Sequence, residues 1–447
     1  MHLSVVILAA GQSKRLHSKR SKVLHLVAGK PMIFYSVSTA EQLSTDPPVL
    51  VVGHGEDQVR ATLGSGVAYV RQERRLGTGH AVLQAREMLL GHGDAVFVCF
   101  GDMPLLKPET LRAVAERFQE KRPVISMLTV VSEDSMGFGR VVRDGAGRVT
   151  AVVEEAVATP EQLAIRELNC SVYCFRADWL WENLPRLGPS PKGEYYLTDM
   201  VEVATKQGLP IESVTTCDVE EVLGINNRVQ LALAERIMRR RINESLMLSG
   251  VTMTDPATTY IDFGATVGED SVILPNTCLW GETHIANDCV IGPNTVLRDC
   301  RIESGCIVEA SCAEGAVVEA GCTIGPFARI RRGSLLEQGV HMGSFGEVKN
   351  STLGRGVRMG HFSYVGDASV GADVNIGAGT VTCNYDGKTK QHTEIGEGAF
   401  VGSGSMLVAP VRIGARATIG AGAVVTRDVP ADMLVYGVPA RPRTRQD

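Results

Sequence analysis

Aliphatic residues recur at every sixth position along much of the chain beyond residue 250, and this repeat limits the possible folds more than any other feature. Three runs keep the spacing: Val267, Ile273, Leu279, Ile285, Ile291, Leu297; Val318, Ile324, Ile330, Leu336, Met342, Val348; and Ile395, Val401, Leu407, Ile413, Ile419, Val425. A period of six fits neither the α-helical period of about 3.6 nor a heptad repeat. It is typical of a parallel β-helix, in which each aliphatic side chain stacks on its equivalent in the next coil. The sequence therefore predicts a β-solenoid over residues 251–447.

Two other features of this region fit a solenoid. Cys300, Cys306 and Cys312 share the six-residue spacing, and we interpret them as small core residues rather than metal ligands. The spacing breaks at length over residues 382–390, which are mostly polar. Because a polar insertion in a solenoid forms a projecting loop, often on the binding face, we expect part of a binding site there.

The first half of the chain alternates short apolar runs with helical patterns. The runs are Val5–Leu8, Val49–Val52, Val67–Val70 and Ala95–Cys99, and His80–Leu90 has helical spacing. This alternation predicts a doubly wound, Rossmann-like α/β domain. Ligands of such sheets bind beyond the carboxyl ends of the strands, where Gly11 and Asp102 fall.

Residues 227–250 have the apolar spacing of one long amphipathic helix. We read this helix as a linker arm between an α/β domain, residues 1–226, and the solenoid, residues 251–447. Its Arg239–Arg241 run suggests either an RNA-binding patch or a solvated helix face, and the second is much the commoner use of such a run.

Composition excludes several classes of protein. The net charge of −5 lacks the basic excess of a protein that binds nucleic acid through phosphates. No apolar run approaches the roughly 20 residues that span a bilayer, and Val5–Ala10 is too short for a signal-peptide core. The eleven cysteines include no CxxC pair, which favours reduced, mostly buried thiols over zinc sites or disulfides. We therefore expect a cytoplasmic protein with no nucleic-acid or membrane partner.

The segment Leu8–Arg15 follows the first strand directly and has the character of a phosphate-binding turn. A turn that opens onto a helix offers backbone N–H groups to phosphate, and Arg15 and Lys22 could neutralise a triphosphate. The lysine-ended phosphate loop of P-loop NTPases is absent, because no G-K-[ST] follows at the required spacing.

Further motifs of the first half follow in a fixed order. They are Lys22–His25, Leu76–Ala81, Phe100–Leu105, Gly137–Arg140, Val153–Glu154, Leu168–Asn169, Gly193–Asp199 and Gly224–Arg228. This series resembles the sugar-1-phosphate nucleotidylyltransferases. In the second half, Gly360–Asp367, Asn375–Thr380 and Asn384–Gly387 resemble an acetyltransferase. Together, over nearly the whole chain, they resemble the bacterial bifunctional N-acetylglucosamine-1-phosphate uridylyltransferase/glucosamine-1-phosphate N-acetyltransferase family.

The resemblance implies a role for each matching residue of the first half. Arg15 and Lys22 stabilise the transferring phosphate, while Asp102 and Asn226 bind Mg²⁺. Gln72, Gly77 and Thr78 recognise uracil, and Gly139, Glu154 and Asn169 hold the amino sugar. The full set implied in binding UTP and UDP-N-acetylglucosamine is Leu8, Ala9, Ala10, Gly11, Lys22, Gln72, Gly77, Thr78, Gly101, Asp102, Gly139, Glu154, Asn169 and Asn226.

For the second half, the resemblance implies a left-handed β-helix that assembles as a homotrimer and acetylates glucosamine-1-phosphate. His361 is the implied base, because a histidine that titrates near neutrality suits removal of an amine proton. Arg331, Lys349, Tyr364 and Asn375 are implied in binding the sugar phosphate; Ala378, Asn384, Tyr385, Ser403 and Ala421 are implied in binding acetyl-coenzyme A.

The expected function is synthesis of UDP-N-acetylglucosamine, first by acetyl transfer and then by uridylyl transfer from UTP with release of pyrophosphate. A nucleotidylyltransferase with a catalytically silent solenoid and a non-catalytic scaffold subunit are the alternatives. The sequence departs from the family pattern in a few places: Ser13-Lys14, Ser21 in place of a proline, Glu155–Val157, Cys170-Ser171, and Gly437 in place of a coenzyme A-binding arginine. That last contact comes from Arg441 or Arg443, or is absent.

Overall fold

The computed structural model describes residues 1–12, 14–190 and 193–443 of the chain. The chain forms two compact units, Met1–Met238 and Arg239–Asp447. Ser13, one of the departures from the family pattern, lies outside the described residues.

The first unit contains a twisted sheet that is mostly parallel. Its strands are β1 (Leu3–Leu8), β4 (Val49–Val52), β5 (Ala68–Arg71), β6 (Ala95–Phe100), β7 (Ile125–Val131), β10 (Glu167–Arg176) and β11 (Ile211–Thr216), with β8 (Arg140–Arg143) and β9 (Val149–Val153) alongside β10 and a small hairpin of β2 (Leu26–Val27) and β3 (Lys30–Pro31) apart from it. The order is β11-β7-β10-β6-β1-β4-β5, and β10 runs antiparallel to its neighbours. Strands β1 and β6 are buried almost throughout because helices cover both faces.

The helices of this unit are α1 (Met32–Glu41), α2 (Glu56–Leu63), α3 (Thr78–Leu83), α4 (Arg86–Leu89), α5 (Pro108–Lys121), α6 (Pro160–Leu163), α7 (Ala177–Asn183) and α8 (Asp199–Lys206). The helical segment expected over His80–Leu90 is present, but as two short helices, α3 and α4. The amides of Gln84 and Ala85 bond three residues back, to Ala81 and Val82, and this tighter turn divides the segment.

The predicted linker helix is present as α9 (Arg228–Leu248), and the boundary between the two compact units falls within it. Ile242, Leu246 and Met247 pack against the core of the second unit. Arg239 lies over the ring of Tyr260, with its guanidinium carbon 4.1 Å from the ring centroid, so this arginine packs on an aromatic ring. The functional boundaries at residues 226 and 250 stay a prediction.

The second unit is a parallel β-helix with three sheets of short strands. The first sheet comprises Thr252–Met253, Val272–Ile273, Val290–Ile291, Ile307–Val308, Thr323–Ile324, His341–Ser344, Arg358–His361, Asn375–Ile376, Phe400–Val401, Thr418–Ile419, Leu434–Tyr436 and the antiparallel Arg441–Arg443. The second comprises Tyr260–Ile261, Cys278–Trp280, Val296–Arg298, Cys312–Glu314, Arg329–Ile330, Glu347–Lys349, Tyr364–Gly366, Val381–Cys383, Met406–Val408 and Val424–Val425. The third comprises Thr266–Val267, His284–Ile285, Arg301–Ile302, Val317–Val318, Leu335–Leu336, Thr352–Leu353, Ala368–Val370, Thr393–Ile395 and Val411–Ile413.

Every aliphatic residue of the three six-residue runs is buried, which confirms the solenoid. Equivalent residues are eighteen apart in a regular coil, as Thr266 and His284 are, but sixteen apart between Arg301 and Val317. This shortening explains why the spacing slips between the first two runs.

The same shortening changes the interpretation of the cysteines. Cys300 and Cys306 are buried and stand two residues before the aliphatic positions Ile302 and Val308. Cys312 is exposed, and its neighbour Ala313 fills the core instead, so its assignment to the core is wrong.

The interruption near residue 382 is a projecting loop, as predicted. Val370 pairs with Ile395 in the next coil, so this coil is seven residues longer than a regular one. The loop folds on Asp386, whose carboxylate accepts the amides of Lys388 (2.8 Å) and Thr389 (2.7 Å). These hydrogen bonds lower the pKa of Asp386 to about 2.

Candidate active sites

The first candidate site is a cavity of about 250 Å³ at the carboxyl ends of β1, β5 and β6. Its lining includes nine of the implied nucleotide-binding residues: Leu8, Ala9, Ala10, Gly11, Lys22, Gln72, Gly77, Thr78 and Asp102. The sheet order explains their meeting, because β6, β1, β4 and β5 are neighbours whose carboxyl ends share one edge.

One charged cluster dominates this cavity. The Lys22 ammonium contacts the Asp102 carboxylate and donates to Asn226 Oδ1 over 2.8 Å. The Arg15 guanidinium donates to the same Asn226 oxygen, also over 2.8 Å. Asn226 comes close to Asp102 because the preceding amide, of Ile225, bonds to the carbonyl of Asp102 over 3.0 Å. Two cations and two hard oxygen donors therefore meet at one place.

A second part of the cavity is formed by the loop before α3. Gln72 is buried, and its Nε2 donates to the carbonyl of Gly77 over 3.1 Å and lies 3.0 Å from His80 Nδ1. Gly77 adopts φ +101°, and a Cβ there would lie 2.5 Å from the carbonyl oxygen of Tyr195, so only glycine fits. The Gly193–Asp199 motif therefore packs directly against the Leu76–Ala81 motif.

The residues implied in sugar binding form a separate group. The amide of Asn169 bonds to the carbonyl of Gly139 over 2.9 Å, and Thr198 Oγ1 donates to Glu154 over 3.0 Å. Burial raises the pKa of Glu154 above its ordinary value, the Thr198 hydrogen bond opposes this, and the Glu194 carboxylate adds to it. Since Glu194 also lines the nucleotide cavity, this group borders it.

The raised pKa of Glu154 gives a prediction about stability. The folded protein binds this proton more tightly than the unfolded chain, so ionised Glu154 destabilises the fold as pH rises above about 4.5 through the raised pKa. We expect Glu154→Gln to raise the midpoint of thermal unfolding at pH 8, with a smaller gain at pH 5.

Glu155→Gln is the matched control for this prediction. Glu155 accepts a hydrogen bond of 3.0 Å from the buried guanidinium of Arg140, which lowers the pKa of Glu155. We expect the opposite sign, a lower midpoint at pH 8, because Arg140 loses its carboxylate partner. Equal shifts for the two variants would contradict the assignment.

Strain in β10 gives a second prediction. Ser171 has φ +59°, in the left-handed region, where the register of β10 against β7 shifts between Asn169 and Tyr173. A residue with a Cβ loses about 1–2 kcal/mol in this region. We expect Ser171→Gly to raise the free energy of unfolding of the first unit by about 0.5–1 kcal/mol, after the entropy that glycine adds to the unfolded chain. Urea denaturation measures this, and Ser171→Ala, which keeps the Cβ, should give no gain.

The second candidate site begins with a cluster of cations on the β-helix. Arg331 directly follows one strand of the second sheet and Lys349 ends the next one, and because Ile330 pairs with Val348 the two cations stack in successive coils. The neighbouring ammonium of Lys390, from the projecting loop, lowers the pKa of Lys349, and burial and Arg331 lower it further. Arg331 also pairs with Glu347 over 3.1 Å. This clustering of positive charge suits a phosphate group.

Next to the cations, the projecting loop is tied to the coil beneath it. Asn384 Nδ2 donates to the Asp367 carboxylate and lies 3.4 Å from the Tyr364 hydroxyl. The Tyr364 side chain lies over Gly366, where a Cβ would come within 2.2 Å of the hydroxyl oxygen, so a side chain at Gly366 would displace the tyrosine. Tyr385 is 61% exposed, at the loop surface.

His361 ends a strand of the first sheet, paired with Ser344, and its side chain is exposed. The turn beyond it stacks on the turns of the following coils. Three backbone bonds join these turns: Gly379 to Phe362 (2.7 Å), Gly404 to Ala378 (2.7 Å) and Gly422 to Ser403 (2.8 Å). Ala378, Ser403 and Ala421 therefore form one column that continues from His361. Asn375 pairs with Arg358 and Phe400 in the first sheet, on the strand that leads into this column.

Several residues at these sites were not predicted. Arg75 and Glu194 line the nucleotide cavity, and Lys390 and Asp367 belong to the cation cluster. Their signals were present, since Arg75 stands between Gln72 and Gly77 and Lys390 lies in the interruption of the repeat. The side chain of Arg441 is exposed on the last strand, whereas that of Arg443 lies outside the described residues.

Comparisons with known proteins agree with both folds. The MobA-like NTP transferase domain family matches residues 5–179, and the bacterial transferase hexapeptide family matches residues 264–299 and 392–427. Relatives named Bifunctional protein GlmU match almost end to end. That of Halalkalibacterium halodurans is 45% identical over 96% of this chain and 94% of its own length; that of Heliobacterium modesticaldum is 44% identical over the same shares. That of Exiguobacterium sp. is 42% identical over 97% of this chain and 96% of its own length.

Fold, sites and matches define a class: a nucleotidyltransferase domain of the Rossmann-like type joined to a left-handed β-helix of hexapeptide repeats. Within that class, the chain belongs to the family of bifunctional GlmU proteins. This confirms the family that the motifs indicated. It also confirms a bifunctional enzyme whose acetyltransferase and uridylyltransferase activities make UDP-N-acetylglucosamine, with UTP and acetyl-coenzyme A as co-substrates.

Proposed function

We propose that the nucleotide cavity of the first unit carries out uridylyl transfer and that the cation cluster and His361 column of the second unit carry out acetyl transfer, acetylation coming first. For the first unit, this proposal rests on one cluster of contacting side chains, namely Lys22, Arg15, Asp102 and Asn226. Joining a sugar phosphate to a nucleoside triphosphate brings several negative charges together. Catalysis there is therefore mainly positioning and charge neutralisation.

In uridylyl transfer, a phosphate oxygen of N-acetylglucosamine-1-phosphate attacks the α-phosphorus of UTP, and the bond from that phosphorus to the pyrophosphate leaving group breaks. Lys22 and Arg15 stabilise the charge that develops on the transferring phosphate, and the Leu8–Gly11 turn binds phosphate through its backbone. Gln72, Gly77 and Thr78 bind the uracil. The amide of Gly101 donates to the carbonyl of Leu8 over 3.0 Å and so holds the end of β6 against the phosphate-binding turn. Gly139, Glu154 and Asn169 hold the sugar.

The donor set of this cavity fits Mg²⁺. Asp102 offers a carboxylate and Asn226 an amide oxygen, both hard ligands, and both already contact one cation, the Lys22 ammonium. No group of three or more His, Cys, Asp or Glu side chains is gathered as a metal site in the described ranges, which suits a cation held jointly by protein and phosphates. When bound, the ion would neutralise charge on the triphosphate and the leaving pyrophosphate.

In acetyl transfer, the amine nitrogen of glucosamine-1-phosphate attacks the thioester carbon and the carbon–sulfur bond breaks. His361 takes the amine proton, and coenzyme A leaves as the thiol. Arg331, Lys349 and Lys390 bind the phosphate of the sugar, while Tyr364 and Asn375 contact its ring. Asn384, Tyr385 and the column Ala378, Ser403 and Ala421 line the acetyl-coenzyme A groove.

We propose a homotrimer on the basis of an exposed aromatic ladder beside His361. The same turn of five successive coils has left-handed backbone throughout: Asn276, Asn294 and Ala310 at φ +59°, +54° and +42°, then Phe327 and Phe345 at φ +62° and +60°. The two phenylalanine rings stack at 5.3 Å and are 59% and 64% exposed. Asparagine tolerates left-handed backbone and phenylalanine does not. Exposed phenylalanines kept there at a cost in strain fit a contact with a second copy of the chain.

We therefore expect Phe345→Asn to convert the trimer to monomers and to reduce acetyl transfer at least tenfold, while leaving each chain folded. Light scattering coupled to size exclusion measures the first effect and thiol release the second. Ile307→Asn is the control, because it makes the same change at another exposed apolar side chain, 45% exposed, that lies on a strand outside the ladder. A trimer that survives Phe345→Asn would overturn the proposed interface.

Among the described residues, no helix is both long and apolar enough to cross a membrane. We propose that the enzyme works in the cytoplasm, where thiols stay reduced, because all eleven cysteines are free.

The test of both activities is incubation with glucosamine-1-phosphate, acetyl-coenzyme A, UTP and Mg²⁺, with one component omitted at a time. Free thiol should appear without UTP, and pyrophosphate should require all four components. If no thiol is released from glucosamine-1-phosphate and acetyl-coenzyme A, while N-acetylglucosamine-1-phosphate and UTP still give pyrophosphate, the solenoid is catalytically silent. If neither product forms, the protein is a scaffold.

A further inference from the structure

Arg75 occupies a position in the nucleotide cavity that the mechanism above does not use. It lies in the loop between β5 and α3, and it lines both the nucleotide cavity and a neighbouring cavity bounded by residues 53–57 and 71–73. Its side chain is exposed, and among the described residues its guanidinium has no hydrogen-bond or ion-pair partner. Its donors are therefore available to a ligand.

The place of Arg75 on the sheet separates it from the phosphate-binding cluster. Lys22 and Asp102 lie over β1 and β6, whereas Arg75 and Gln72 follow β5, at the edge of the sheet beyond β4. Neighbouring strands are about 4.8 Å apart, so the ends of β6 and β5 are separated by roughly 14 Å. With the phosphates over β1 and β6, the β5 end of the cavity receives the nucleobase.

The orientation of Gln72 fixes what this end of the cavity can recognise. The carbonyl of Gly77 can only accept a hydrogen bond, so the Gln72 atom 3.1 Å from it is the amide nitrogen. The second hydrogen of that nitrogen points to His80 Nδ1, 3.0 Å away. Burial lowers the pKa of His80, so the ring is neutral near pH 7 and can accept at Nδ1. Gln72 Oε1 is left as the acceptor for the base.

We infer that Arg75, together with this oriented amide, selects a pyrimidine with a 4-keto group. Uracil presents an N–H donor at position 3 beside an acceptor oxygen at position 4, which match Gln72 Oε1 and the Arg75 guanidinium. Cytosine presents an acceptor nitrogen and an amino group at the same positions. An acceptor would then face the Gln72 Oε1 acceptor, and a donor would face the Arg75 donors. A site that pairs buried polar groups with one base discriminates strongly against a base that leaves them unpaired. This inference rests on the proposed uridylyl transfer.

The test compares kcat/KM for UTP, dTTP and CTP in pyrophosphate release from N-acetylglucosamine-1-phosphate with Mg²⁺, using the full-length protein. The native protein should prefer UTP and accept dTTP better than CTP, because thymine keeps both groups of uracil. Arg75→Leu should lower kcat/KM for UTP about tenfold or more and leave that for CTP unchanged. Arg75→Glu, which can accept from the cytosine amino group, should shift the preference further towards CTP.

Arg74→Leu is the matched control, because Arg74 is an exposed arginine of the same loop that lines neither cavity. It should keep the native preference. Acetyl transfer by the same preparations checks that each variant is folded. Equal losses with UTP and CTP in Arg75→Leu would overturn the inference, as would a native protein that uses CTP as well as UTP. A native protein that releases no pyrophosphate with any of the three nucleotides would instead overturn the proposed function.

Discussion

His361→Ala should reduce acetyl transfer from acetyl-coenzyme A to glucosamine-1-phosphate by about 100- to 10,000-fold, the range lost with a general base. The amine of the sugar must give up a proton as it attacks the thioester. The exposed His361 ends its strand next to the column that carries Ala378, Ser403 and Ala421. Thiol release measures this loss, and pyrophosphate release from N-acetylglucosamine-1-phosphate by the same sample should be unchanged.

His341→Ala is the control for this variant. His341 is an exposed histidine of the same sheet, and its Nδ1 lies 2.7 Å from Thr323 Oγ1. It stands outside the proposed groove, so we expect native acetyl transfer from it. Native thiol release by His361→Ala would remove this residue from the mechanism, and another group would have to accept the amine proton.

Asp102→Asn should reduce uridylyl transfer by about 100- to 1,000-fold, the range for loss of one preorganised charge-stabilising group. The substitution keeps the shape of the side chain but removes the negative charge that contacts Lys22 and that would bind Mg²⁺. The remaining activity should need a higher Mg²⁺ concentration, which a titration of pyrophosphate release against Mg²⁺ would measure. Acetyl transfer should be native.

Glu116→Gln makes the same carboxylate-to-amide change at an exposed position of α5, and it should leave both reactions as they are in the native protein. If Asp102→Asn retains most of its uridylyl transfer with an unaltered Mg²⁺ requirement, Asp102 is not a ligand of the ion. The catalytic cation would then have to be held elsewhere.

Repeating and alternating patterns made most of the fold predictable. The six-residue spacing predicted the β-helix because each coil repeats one local conformation, so the pattern of burial appears directly in the sequence. The division of the helical segment His80–Leu90 into two helices was not predicted, because it depends on two local backbone bonds, at Gln84 and Ala85, that apolar spacing does not encode. Cys312 was misassigned because a coil of sixteen residues is indistinguishable from one of eighteen until its neighbours are paired.

By itself, the amino-acid sequence determined the two architectures, the family and the residues that lie at strand ends or in the interruption of the repeat. These follow from local periodicity and from motifs whose order is fixed along the chain. Only the tertiary structure decided which distant residues meet: Lys22 with Asp102 and Asn226, Lys349 with Lys390, and Arg75 with the nucleotide cavity. Such meetings depend on strand order and coil register, which bring together residues far apart in the chain and therefore leave no local pattern in the sequence.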